Sequence, residues 1–144
     1  MDYKPYTSTL SLLFDTAFGR CVDIGTGNGT SYSVLKFCGD SVVGFETDIN
    51  YLQNYATYVP EIKEEHVQDF DFGFVDHFPL EQRWDVAHWL VDTGAEVVVD
   101  DANLLPPNQR FHRHANAYHF SPKGCLYVDI DFDRSIRHSR SIYR

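Results

Sequence analysis

A cluster of glycines follows directly on a short apolar segment near the N-terminus, in the stretch Asp23-Ile24-Gly25-Thr26-Gly27-Asn28-Gly29. Glycine lets the backbone turn tightly and lets a ligand approach the main chain. A predicted helix from Thr30 adds free N–H groups and the positive end of its dipole. The loop can therefore hold a carboxylate or a phosphate, and Asp23 is placed to meet an ammonium group. The alternative is a tight turn without a ligand.

A second acid follows about twenty residues later, at the end of the next apolar segment. Glu46 stands where an acid accepts hydrogen bonds from ribose hydroxyls, and Asp48 is a second candidate. Glu46 is favoured because Val42, Val43 and Phe45 lead directly to it. The glycine spacing is G-x-G-x-G and differs from the dinucleotide pattern G-x-G-x-x-G.

Acidic residues also end two later apolar segments. Asp76 precedes His77 after one of them, and Asp100 precedes Asp101 after the other. Ligands bind outside the carboxyl ends of strands in open α/β sheets, so these acids should converge. Carboxylate oxygens suit Mg²⁺ or Ca²⁺, and such an ion could favour an ionised hydroxyl as nucleophile. The alternative is that these acids form turns and helix caps.

Alternating apolar segments and helical spacings predict the elements that position these residues. We expect strands over 20–24, 41–46, 72–76 and 96–100, and helices over 30–37, 49–58 and 80–91. A polar loop leading into a short helix is expected over 103–116, followed by a hairpin of strands 117–120 and 126–132. The alternation indicates an α/β fold: a Rossmann-like, mostly parallel sheet with helices on both faces and a C-terminal antiparallel hairpin.

The stretches Val22 to Gly29 and Val43 to Asp48 resemble the class I S-adenosylmethionine-dependent methyltransferases. The resemblance implies methyl transfer to an oxygen or nitrogen acceptor by in-line displacement. It places Asp23, Gly25, Thr26, Gly27, Asn28 and Gly29 around the methionine end of S-adenosylmethionine. It implies that Glu46, or alternatively Asp48, binds the ribose of the cofactor. Asp69 is similar in type to the family's adenine-side acid.

The later acids resemble those of magnesium-dependent catechol-type and macrocin-type O-methyltransferases. That resemblance implies a metal held by Asp76, Asp100 and Asp101. Catechol-type enzymes have a lysine base three positions after the first acid, where this chain has Pro79. His77 is the nearest substitute, so His77 and Asp76 are the candidate catalytic residues.

The chain also departs from the seven-stranded family fold. About eleven residues separate Tyr58 from Asp69, too few for an edge strand and a crossover helix, so one of the two should be missing. N-terminal capping helices should be short or absent, since nineteen residues precede the first strand. An abbreviated domain leaves two alternatives open: a noncatalytic cofactor-binding module, or another S-adenosylmethionine-consuming enzyme such as a lyase. The acceptor could be a small molecule or a macromolecule.

Composition limits the remaining possibilities. A chain of 144 residues fits a single domain spanning its whole length, and a homo-oligomer is possible. The net charge of −9 argues against nonspecific binding to nucleic acid. No apolar run approaches the roughly 20 residues of a membrane span, and no secretory signal is visible. Three cysteines without metal-ligand spacing fit a cytoplasmic protein with reduced thiols.

Overall fold

The computed structural model describes residues 4–101, 115–121, 124–129 and 137–140. Its helices are α1 (Lys4–Thr16), α2 (Thr30–Cys38) and α3 (Gln82–Asp92). Its strands are β1 (Arg20–Ile24), β2 (Ser41–Glu46), β3 (Ala56–Tyr58), β4 (Phe72–Val75), β5 (Glu96–Asp100), β6 (Ala115–Ser121), β7 (Gly124–Asp129) and β8 (Arg137–Arg140). The expected loop over 103–116 lies almost wholly outside the described residues.

All eight strands form one sheet in the order β3-β2-β1-β4-β5-β6-β7-β8. Strands β1 to β5 pair in parallel, and β6 to β8 pair antiparallel. The α/β, Rossmann-like prediction is therefore confirmed. The antiparallel end has three strands, because β8 pairs with β7 next to the predicted hairpin. The chain runs outward from β1 to β3 and then returns to β4, which creates a topological switch point between β1 and β4.

Helices cover both faces of the sheet, as predicted. On one face, α1 and α2 pack Leu13 and Leu35 against Phe74. On the other face, α3 buries Leu90 against Val22 and the strands around it. Within β1 the side chains alternate between these two cores, as the period of a strand requires. No helix among the described residues has the length and apolar character needed to cross a membrane.

The region after β2 departs from the sequence prediction. The helix expected over 49–58 is a 3-10 turn over Ile49–Tyr51 followed by β3, which pairs with β2 from Gly44 to Glu46. Pairing along the open edge of β2 outweighs the local helical spacing, because it satisfies backbone groups that would otherwise stay unpaired. The third strand is thus present.

The crossover between β3 and β4 is where the fold is abbreviated. It contains a single 3-10 turn, Glu64–Val67, in place of a helix. Ile62 and Val67 are fully buried there and fill the core beside α3. The prediction that the strand or its helix would be missing is correct for the helix.

The N-terminal segment carries more structure than its length suggested. Helix α1 is present over Lys4–Thr16 and buries Leu12 and Leu13 against the sheet. Its Thr9 donates a hydrogen bond to Asp100 Oδ1 at the end of β5 (2.9 Å). This helix therefore reaches the edge of the sheet where the parallel strands end.

Candidate functional site

The glycine loop connects β1 to α2 at the carboxyl edge of the sheet, beside the switch point. The N–H of Gly25 donates to Phe45 O, and the N–H of Asp76 donates to Ile24 O, both at 2.8 Å. Gly25 has a φ of 89°, and a Cβ there would collide with the main-chain oxygen of Asp76. Contact between the loop and the end of β4 therefore requires glycine at this position.

Gly27 has open space at the position of a Cβ, whereas Gly25 and Gly29 have neighbouring atoms there. Its φ is 51°, and no described atom lies within 4 Å of the position of an added Cβ. Its N–H donates to Glu46 Oε1 at 2.9 Å. Asn28 accepts hydrogen bonds from Thr30 N and Oγ1, which fixes the start of α2. The main chain at Gly27 thus forms a cradle that a ligand can approach and a side chain would fill.

Asp23 lies beneath the loop, not on its open side. It is fully buried, and its Oδ2 accepts a hydrogen bond from Ser31 Oγ of α2 (2.9 Å). Its Oδ1 has no hydrogen-bond partner among the described residues. Burial raises the pKa of Asp23 to about 8; the Glu46 charge adds to the rise and the Ser31 bond opposes it. The predicted direct contact with an ammonium group is not available to a buried side chain in this conformation.

Glu46 closes the loop from the β2 side. It is buried, and its carboxylate accepts hydrogen bonds from the main-chain N–H groups of Gly27, Thr47 and Asp48, at 2.9, 3.0 and 3.1 Å. A carboxylate has about four acceptor positions, so about one remains. Accepting two ribose hydroxyls would require the exchange of at least one main-chain bond. Asp48 itself accepts from Asn50 N and caps the 3-10 turn.

An open cavity of about 630 Å³ begins next to Glu46. Its lining combines polar side chains with apolar and aromatic ones, and comprises Thr47, Asp48, Ile49, Tyr58, Phe78, Pro79, Leu80 and Glu81. The volume lies within the range of small-molecule sites. Apolar and aromatic side chains of this kind can pack against a flat ring.

Asp69 does not belong to this site. It is exposed, has a φ of 63° and precedes β4, so it lies at the amino edge of the parallel sheet. The loop and the cavity lie at the opposite edge. The adenine-side role predicted for Asp69 is therefore wrong; the residue forms a turn, and aspartate tolerates that backbone conformation better than most residues.

The acids at the ends of β4 and β5 do converge, as the sequence predicts. One carboxylate oxygen each from Asp76, Asp100 and Asp101 lie within 4.8 Å of one another. The guanidinium of Arg83 lies beside them, 3.4 Å from Asp76 Oδ1 and 3.6 Å from Asp101 Oδ2. Burial and the neighbouring Asp100 raise the pKa of Asp76, and burial and Asp101 raise that of Asp100 to about 7.

His77 is buried beside the glycine loop. Its side chain is 1% exposed, and Nε2 is 2.9 Å from Gln82 Oε1. Burial lowers the pKa of His77 to about 4, with the Gln82 bond opposing and Arg83 adding to the fall. Its Nδ1 has no hydrogen-bond partner among the described residues, and the catalytic role of His77 stays a prediction. Asp76, with a side chain 23% exposed, keeps access to the edge of the site.

Comparison with known proteins bears on the fold. No family model matches the chain, and no curated protein matches it in sequence. Among solved structures, it is similar to an rRNA methylase from Streptococcus thermophilus, with a TM-score of 0.51 and 13% identity over 69% of this chain and 72% of that one. It is also similar to an O-methyltransferase from Bacillus cereus in complex with SAH, with a TM-score of 0.50 and 15% identity over 72% of this chain and 58% of that one.

The fold of the chain is therefore similar to that of these two methyltransferases. The match to the Bacillus cereus protein spans less than two thirds of that protein's length. The glycine loop contacts Glu46 through the N–H of Gly27, and the cavity begins at Thr47, the next residue along the chain.

The acid cluster already contains a cation, the guanidinium of Arg83, which disfavours a divalent metal there. A cation 2.0–2.6 Å from Asp76 Oδ1 or Asp101 Oδ2 would lie within about 6 Å of a guanidinium nitrogen of Arg83. Two charges of +2 and +1 at that separation repel by about 5 kcal/mol at an effective dielectric constant of 20, which opposes the attraction of the three carboxylates. The predicted convergence is correct, but the predicted Mg²⁺ or Ca²⁺ site is not supported, because an arginine already supplies the positive charge.

Two residues of the site, Tyr55 and Arg83, were not predicted from the sequence. Tyr55 stacks on Tyr32 with ring centroids 4.4 Å apart, and its hydroxyl would collide with a Cβ at Gly29. No pattern in the neighbouring sequence indicates a role for Tyr55, which falls within the helix predicted over 49–58. Arg83 did carry a signal, since it lies three and seven residues before Val86 and Leu90 on the apolar face of α3.

Proposed function

We propose that this chain binds S-adenosylmethionine at the Gly25–Gly29 loop and transfers its methyl group to an oxygen or nitrogen acceptor. One observation carries the proposal: the open main chain of Gly27, the carboxylate of Glu46 and the cavity from Thr47 to Glu81 adjoin one another at the switch point. Ligands of open α/β sheets bind at this location. The three neighbouring features match the three parts of the cofactor: an amino acid, a ribose and a flat base.

Each feature has a distinct role in this proposal. The loop would hold the methionine part, Glu46 the ribose, and the apolar part of the cavity, with Ile49 and Phe78, the adenine. When bound, S-adenosylmethionine supplies an electrophilic methyl group on its sulfonium. The protein's own contribution would be largely to position the two reactants.

Asp76 is our candidate proton acceptor for the methyl acceptor group. It ends β4 next to the glycine loop and is partly exposed. Burial and Asp100 raise its pKa, which makes its carboxylate a stronger base than an ordinary one near neutral pH. Arg83 limits this effect, because its charge lowers the same pKa.

A noncatalytic binding module is the second candidate. The observation in its favour is that His77 is buried and Asp76 is paired with Arg83, so neither side chain is readily accessible to an acceptor in this conformation. Mass spectrometry of S-adenosylhomocysteine formed with candidate acceptors separates the two functions. A module would bind the cofactor and form no product.

Calorimetric titration with S-adenosylmethionine and S-adenosylhomocysteine tests the binding step, using a matched pair of variants. Gly27 and Gly94 both have positive φ and open space at the Cβ position, but Gly94 follows α3 at the amino edge. We expect Gly27→Val to weaken binding at least about tenfold, or about 1.4 kcal/mol, by filling the cradle. Gly94→Val should bind like the wild type, although its φ of 95° strains a valine more than the φ of 51° at Gly27 does.

Circular dichroism would first establish that both valine variants are folded. A wild type that binds neither ligand would remove the proposed function. Equal losses in the two variants would mean that backbone strain, not the cradle, controls binding.

A further inference from the structure

Arg83 is buried in the middle of the acid cluster, although it belongs to the first turn of α3. Its side chain is 1% exposed. Nε donates to His77 O at 2.7 Å, and Nη1 donates to Asp100 O at 2.9 Å. Two carboxylates, of Asp76 and Asp101, lie 3.4 and 3.6 Å away, and the ring of Phe78 lies over the guanidinium at 5.5 Å. One side chain thus contacts the ends of both β4 and β5.

We propose that Arg83 is the resident cation of this cluster and takes the place of a divalent metal, so that the chain binds none there in its native form. Arg83 is then a positioning residue that holds the carboxyl ends of β4 and β5 together. The inference rests on the proposed function only in that this edge would face the methyl acceptor. The reaction would then be metal-independent.

The geometry favours an arginine over an ion in this role. A guanidinium offers five N–H donors in a fixed plane and can serve carbonyl and carboxylate oxygens at once. It stays permanently charged, and the packing of Val86 and Leu90 anchors its helix in the core. The main-chain oxygens of His77 and Asp100 receive its two short hydrogen bonds. The two carboxylates are farther away and are neutralised mainly by its charge.

The same geometry predicts what happens when the charge is removed. The three acids offer oxygens within 4.8 Å of one another, a spacing that one cation could bridge. Ligand oxygens 2.0–2.6 Å from a single ion lie within about 5 Å of each other. Replacing Arg83 by a neutral side chain should therefore create a divalent cation site that the wild type lacks.

Thermal unfolding with EDTA, Mg²⁺ or Ca²⁺ tests this prediction. At about 10 mM of either ion, we expect the Tm of the wild type to stay unchanged and that of Arg83→Met to rise by several degrees, because the ion binds the folded state alone. Arg83→Gln, which keeps N–H donors for the carbonyl oxygens, should respond in the same way. Arg83→Lys keeps the charge and should not respond.

Double variants identify the ligands. Arg83→Met with Asp101→Asn should lose the response to the ion, whereas Arg83→Met with Asp85→Asn should keep it, since Asp85 is an exposed acid of the same helix. A wild type whose Tm rises with either ion, with the rise abolished by Asp101→Asn, would overturn the proposal. So would neutral variants that neither ion stabilises or rescues. Because no cofactor is present, a failure to bind S-adenosylmethionine would leave this result intact.

Discussion

At the scale of single residues, the glycine loop is surrounded by buried polar atoms that lack partners among the described residues. They are Asp23 Oδ1, Thr26 Oγ1, the hydroxyl of Tyr55 and His77 Nδ1. An unsatisfied buried polar group costs roughly 1–3 kcal/mol, so native proteins seldom keep several in one place without a function. Their concentration around the Gly25–Gly29 loop supports a binding role for this part of the molecule.

Asp23 gives a pH-dependent prediction. Its folded-state pKa of about 8 lies above the ordinary value near 4, so between about pH 4 and pH 8 the folded protein keeps a proton that the unfolded chain has lost. Its contribution to the free energy of unfolding therefore falls as the pH rises through that window. Asp23→Asn has no such proton, so its stability relative to the wild type should increase from pH 5 to pH 8.

Urea unfolding at several pH values measures this difference. Asp40→Asn, at an exposed position, serves as the control and should follow the wild-type profile. Parallel profiles for Asp23→Asn and the wild type would contradict a raised pKa for Asp23.

At the scale of secondary-structure elements, a long-range hydrogen bond connects α1 to the carboxyl edge of the sheet. Thr9 and Asp100 are 91 residues apart in sequence, and the bond between them is buried. Asp100 also offers its main-chain oxygen to Arg83 of α3. The end of β5 thus joins helices from both faces of the sheet, and α1 contributes to the site without carrying a loop residue.

Thr9→Val tests this connection. We expect it to lower the free energy of unfolding by about 1–3 kcal/mol, because a buried carboxyl group loses a hydrogen-bond donor. Thr16→Val is the matched control, since Thr16 Oγ1 bonds only one turn back, to Leu12 O. It should cost clearly less in chemical denaturation. Equal costs would mean that Thr9 contributes through helix propensity or packing and not through Asp100.

At the scale of the whole molecule, the parallel strands bring the loop, Glu46, the cavity and the acid cluster to one edge of the sheet. The chain as a whole carries a net charge of −9. Such a charge repels the phosphate backbone, whatever the acceptor proves to be. The homo-oligomer, the single-domain organisation and the cytoplasmic location stay predictions.

Binding to a nonspecific RNA duplex provides the test at this scale. Fluorescence anisotropy should detect no binding at physiological salt, because nonspecific affinity comes from the release of counterions by basic surfaces. A salt series gives the control. Tight binding with a steep dependence on salt would show that a local basic surface outweighs the net charge.

The sequence by itself determined the features that depend on neighbouring residues. Runs such as Glu96 to Asp100 favour a buried strand through their β-branched side chains, and the glycines from Gly25 to Gly29 mark a tight turn before a helix. Once the parallel order of the strands is accepted, Glu46 and the acids at Asp76 and Asp100 must meet at one edge. These patterns depend on residues close in sequence, and the structure agrees with the elements that they predict.

The tertiary structure decided what depends on distant partners. The segment at Ala56–Tyr58 is a strand because the edge of β2 was open to it, although its local spacing suggested a helix. His77 is buried and neutral because α3 packs over it, which its neighbours in sequence do not determine. Arg83 replaced the predicted metal because helix packing carried a permanent charge into the cluster. In each case, long-range packing outweighed a local pattern, since local propensities contribute less free energy than burial and pairing do.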